Sequence, residues 1–131
     1  MTILQICAFA APTAGNFIST LRYLEQKNKD LGHTTVYAFP ERAQYLDWCK
    51  KLTTTNKVYF LPEKRARICP STYRIIRNII TTNDVSIIHS HFELYDIPVK
   101  LMASQNVTVF WHLHDTIEEN YDWDKYIEQN N

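Results

Sequence analysis

The chain has 131 residues, with fourteen Lys+Arg against fourteen Asp+Glu and a formal net charge of zero. That is the length of one domain, and its 45% apolar and 13% aromatic content can build a core, which excludes a disordered tail. The charge balance argues against a dedicated nucleic-acid binder, and three cysteines without CxxC spacing argue against a disulfide framework or zinc finger. No apolar run is long enough to span a bilayer, and residues 1–9 lack a signal-peptide pattern, so the expectation is a reduced, cytoplasmic domain.

Short β-branched runs alternate with longer segments of helical period, the signature of βα units. Residues 3–8 form a nearly continuous apolar strand, as buried parallel strands do. A loop with Pro12 leads to a predicted helix over residues 15–31, whose apolar stripe is Phe17, Leu21, Leu24 and Leu31. Gly32 stands where a helix C-terminal glycine belongs, and residues 34–39 follow as the second strand. Pro40 opens a predicted helix to residue 52 with Tyr45, Trp48, Cys49 and Leu52 on one side, and residues 57–61 make a third strand. After the loop Glu63-Lys64-Arg65-Ala66-Arg67, residues 70–82 read as a helix with Ile75, Ile76, Ile79 and Ile80 inward. A fourth strand over 85–89, a helix over 94–104 and a fifth strand over 107–112 complete the pattern. Residues 115–131 are acidic and aromatic with no strand signal. The expected fold is α/β: a Rossmann-like, doubly wound parallel sheet of about five strands in three α/β/α layers.

Neutrality conceals an asymmetry. Residues 1–83 hold twelve basic and five acidic side chains, a surplus of seven, whereas residues 84–131 hold two basic and nine acidic ones. Two oppositely charged solvated faces account for this without any function.

Ligands of open parallel sheets bind beyond the carboxyl ends of the strands. After the first strand, Gly15 and Asn16 enter a helix whose unpaired N–H groups form an anion site in principle. The loop is neither GxGxxG nor GxxxxGK[ST], which disfavours a self-sufficient dinucleotide or P-loop site, and a tight turn explains Gly15 equally well. The fourth strand runs into His89-Ser90-His91-Phe92-Glu93 and the fifth into His112-Leu113-His114-Asp115, so four of five histidines form two HxH pairs at the cleft edge. They suit proton transfer or hydrogen bonding near neutral pH, or, with Glu93 or Asp115, zinc ligation. The bland alternative is that His89 and His112, nearer the strand interiors, are satisfied core residues.

Taken together, the phrases ILQI, AGNFISTLRYLEQKNKDLGHTTVYAF, DVSIIHSHF and VTVFWHLHD resemble the N-terminal domain of glycosyltransferase family 4, a GT-B fold, as far as about Asp115. The resemblance implies that residues 1–131 are a single acceptor-side domain, with the C-terminal donor domain absent and the isolated domain inactive. The whole enzyme would move a sugar from a nucleotide-sugar donor to a cell-surface glycan or lipid-linked acceptor, with retention and with neither metal nor cofactor. It implies His114 and Asp115 as catalytic, His91 and Glu93 as acceptor-binding, and Gly15 and Asn16 as donor-phosphate-binding. The family commonly has two adjacent glycines in that first loop, and Ala14-Gly15 supplies one. Such enzymes often work on lipid-linked acceptors, which would give Lys64, Arg65, Arg67, Arg74 and Arg77 a peripheral contact at the inner membrane face. Two alternatives stay open: a metal-dependent hydrolase using the HxH pairs, and a non-catalytic α/β binding subunit of a split transferase.

Overall fold

The computed structural model describes residues 1–112. They form five strands, β1 (Thr2–Cys7), β2 (Thr34–Pro40), β3 (Val58–Leu61), β4 (Val85–His91) and β5 (Thr108–His112). Four α-helices alternate with them: α1 (Gly15–Asp30), α2 (Asp47–Thr53), α3 (Pro70–Thr82) and α4 (Asp96–Met102). All neighbouring strands pair in parallel, in the order β3-β2-β1-β4-β5. The order therefore reverses between β1 and β4, the topological switch point of a Rossmann-like sheet.

Alternation along the strands sends their side chains into two cores. On one face Leu4, Ile6, Val36, Ala38 and Ile88 pack under Ile76 and Ile79 of α3 and Val99 of α4. On the other, Cys7, Tyr37 and Phe39 pack under Ile18 and Leu21 of α1 and Trp48, Cys49 and Leu52 of α2. Three layers result, as the βα pattern predicts. Among the described residues no helix is long and apolar enough to cross a membrane.

Chain punctuation follows local chemistry. Gly32 adopts φ +82° just past α1, and the N–H groups of Gly32 and His33 return to the carbonyls of Lys29 and Asn28. This satisfies the last-turn acceptors that a helix end leaves open. Leu31 lies beyond the helix and is 73% exposed, so it leaves the expected stripe, and the buried face of α1 is Ile18 and Leu21 with Phe17 and Leu24 half-buried. The single helix expected over residues 40–52 is also two pieces. A 3-10 turn spans Glu41–Tyr45, Leu46 becomes extended at φ −88° and ψ 142°, and α2 then starts at Asp47. The break rotates Trp48, Cys49 and Leu52 onto the sheet and leaves Tyr45 in solvent. α4 is shorter than expected as well, because residues 92–95 form the loop that edges the site.

Candidate functional site

β4 continues through His91, two residues beyond its expected end, so His89 and His91 emerge on one face. Register then adds a third imidazole, since His91 pairs across the β4–β5 ladder with His112. The ring centroids are 3.9 Å apart for His89–His91, 5.4 Å for His89–His112 and 5.3 Å for His91–His112. Gln5 of β1 reaches in from the other side, its Oε1 lying 2.7 Å from His91 Nε2. An amide oxygen only accepts, so Nε2–H donates to it.

Beside the cluster lies a recess of about 610 Å³ between α1 and the β4–β5 half of the sheet, lined by Leu24, Asn28, Ile87, His89, Phe110 and His112. Two further recesses lie at the amino edge of the sheet, around Asp84 and Asn106 and around Thr34 and Lys57. Parallel sheets do not usually place ligands at that edge.

An aromatic wall closes the carboxyl edge above the histidines. Phe17, in the first turn of α1, meets the His91 ring edge-on at 5.3 Å and packs against Phe9 at 4.7 Å and Phe92 at 5.3 Å. The loop carrying Phe9 is fixed from outside by Trp48 Nε1–H, which donates to the Ala11 carbonyl at 2.9 Å, and by Arg42, which donates to that of Ala10. Phe92 holds φ +66°, a conformation costly for a bulky side chain. Three ties hold the backbone that imposes it. Arg67 donates to the Glu93 carbonyl at 2.9 Å, buried Ser90 donates to Asp96 Oδ1 at 2.9 Å, and Tyr95 donates to the Pro62 carbonyl at 3.0 Å.

The sequence-derived residues fall into three groups. His91, His89 and His112 come together, but their burial inverts the expectation: His91 is 3% exposed, whereas His89 is half-buried and His112 exposed. Gly15 and Asn16 open α1 next to Phe17, and Glu93 stands in the loop after β4. Gly15 has φ +53° with open space where a Cβ would be, so its backbone conformation, not crowding, requires glycine. His114 and Asp115 lie outside the described residues. Sequence reasoning missed Gln5, Phe9, Phe17 and Phe92 as site residues; only Gln5 left a signal, a lone polar residue inside an apolar strand.

Cys7, paired with His91 across the β1–β4 ladder, has its thiol pushed well up by burial and stays protonated, which does not suit a nucleophile. Lys64, Arg65, Arg67, Arg74 and Arg77 are all exposed, running from the loop after β3 into α3, with Ile68 74% exposed among them. The expected basic surface is thus present, although Arg67 is also a loop tie.

Fold and site together define a class: a Rossmann-like domain whose switch-point strand ends open on a histidine- and aromatic-lined edge. Over 98 residues the chain is 34% identical to a protein of Saccharomyces cerevisiae, the "Phosphatidylinositol N-acetylglucosaminyltransferase GPI3 subunit". The same match holds for that protein in strains YJM789, RM11-1a and S288c. It covers 68% of this chain and 21% of the yeast protein, so the chain spans about a fifth of the relatives it matches. No family model matches the chain, and no solved structure matches it significantly.

Proposed function

We propose that this chain is the acceptor-side, N-terminal domain of a GT-B glycosyltransferase of family 4. The observation that carries the proposal is the 34% identity to the yeast glycosyltransferase subunit. The parallel sheet and the histidine-lined edge at its switch point support it. In this reading a nucleotide-activated sugar, held mainly by a second domain or partner chain, meets a lipid-linked or glycan acceptor at the carboxyl edge of the sheet. The yeast relative's name makes N-acetylglucosamine and phosphatidylinositol the first sugar and acceptor to try.

His91 and Glu93 contact the acceptor, Gly15 and Asn16 lie under the donor diphosphate, and His114 and Asp115 stand where sugar and acceptor hydroxyl meet. Transfer proceeds with retention, and catalysis rests on positioning and on hydrogen bonds to developing charge. The domain alone is inactive.

The test is transfer of labelled N-acetylglucosamine from its nucleotide-activated form to lipid, with the chain supplied together with a donor-binding domain. Transfer is expected only when both are present, and His114→Ala should lower turnover by roughly 100-fold, the scale of losing one charge-stabilising donor, with an unchanged melting temperature. Unchanged turnover in His114→Ala would remove its role. No transfer to any acceptor across a panel of nucleotide sugars would overturn the reading.

A further inference from the structure

We propose that His89, His91 and His112 form a binding site for a late first-row divalent metal ion, with Zn²⁺ as the probe. One ring nitrogen from each lies within 4.8 Å of the others. Backbone geometry, not chance rotamers, brings them together: the HxH spacing puts two imidazoles on one face of β4, and parallel register sets the third beside His91. Four tetrahedral ligands at ~2.05 Å from zinc stand about 3.3 Å apart, so the triad must contract by roughly 1.5 Å at most. His112 is exposed and His89 half-buried, while buried His91 is the fixed point about which they would close.

The surroundings have what such a site needs. Metal-bound histidines usually donate the other ring N–H to an oxygen, which fixes the tautomer. Gln5 Oε1 accepts from His91 Nε2 in that manner and fixes the orientation of the ring. Among the described residues the ligand set is three imidazoles, which suits zinc, copper, nickel or cobalt and not magnesium or calcium, which require oxygen ligands. Three protein ligands leave a fourth position for water or for an oxygen of a bound molecule, and His89 and His112 both line the 610 Å³ recess from which one would enter. The site does not depend on the glycosyltransferase reading, because it is defined by metal alone.

Equilibrium dialysis against Zn²⁺ followed by elemental analysis tests it. One zinc per chain is expected, undisplaced by a large excess of Mg²⁺. Gln5→Leu should weaken binding by about 10-fold, the usual effect of losing an orienting partner, and His112→Gln by more. His112 is exposed on an edge strand, so this variant keeps its fold even if the Gln5 variant does not. His33→Gln is the control: that imidazole sits 3.2 Å from the Met1 amine, at the amino end of β2, and its loss should change nothing. A metal-free protein at equimolar zinc, or equal affinity in His112→Gln, would overturn the proposal, whatever the transfer assay gives.

Discussion

Tyr37 shows how one buried hydroxyl ties the fold to pH. It is fully buried, and its hydroxyl donates to Glu25 Oε1 at 2.9 Å, while Asn56 donates to the same carboxylate. Burial, then the neighbouring Glu25 charge and the hydrogen bond to it, push the phenol far above its ordinary range. Tyr95, buried and donating to Pro62, is raised in the same direction by burial and by Glu63 and Glu41. A folded-state pKa above the unfolded one gives stability that is complete below about pH 10 and is lost as pH rises toward the folded value. In that window the native protein keeps protons that the unfolded chain releases, so each phenol lowers stability by about 1.4 kcal/mol per pH unit. Urea midpoints should therefore fall steadily above pH 10, and Tyr37→Phe should show a shallower fall than the parent. Identical slopes for the two would mean that the Tyr37 phenol titrates normally.

At the level of elements, α3 carries the core on its face. Ile76 and Ile79 are fully buried against Leu4, Val36 and Ile88, so Ile79→Ala should cost roughly 2–5 kcal/mol by leaving a cavity. Leu101→Ala on α4, where the leucine is 62% exposed, should stay within about 0.5 kcal/mol in the same urea titration. The Ile75-Ile76-Ile79-Ile80 stripe made this helix legible from sequence, just as β-branched and aromatic runs made all five strands legible. What local patterns could not reveal was tertiary in origin. No glycine or proline marks the break at Leu46; it turns Trp48, Cys49 and Leu52 onto the sheet and leaves Tyr45 in solvent, a choice made by tertiary packing. The end of β4 was missed because Ser90 and His91 read as polar loop, yet the β1 and β5 ladders extend the strand and bury both. The clustering of histidines at strand ends was visible; that His91 is the buried one, held by Gln5 from 86 residues away, was not.

For the molecule as a whole, the zero net charge is divided along the sequence, and its basic part makes a surface that can be tested directly. Lys64, Arg65 and Arg67 follow β3, so they leave the sheet at the same carboxyl edge that carries the histidines, and Arg74 and Arg77 extend the stripe along α3. Ile68, 74% exposed, stands among these cations as an apolar side chain with no core to enter. A lipid-linked acceptor would need the site's edge to face a bilayer, and this surface would turn it that way. Each cation near an anionic membrane contributes about 1 kcal/mol, screened by salt. Lys64→Glu/Arg74→Glu/Arg77→Glu removes three of them while sparing Arg65, which holds the left-handed φ +53°, and Arg67, which ties down Glu93. The chain should therefore co-sediment with anionic vesicles at low salt and release at high salt. The triple variant should bind at least ~100-fold more weakly, since about 3 kcal/mol of attraction is gone. Ile68→Asp should weaken binding at both salt concentrations, because it removes an apolar contact that salt does not screen. Sedimentation that is absent at low salt, or that persists unchanged in the triple variant, would leave the basic stripe as solvated surface and detach the histidine-lined edge from any membrane.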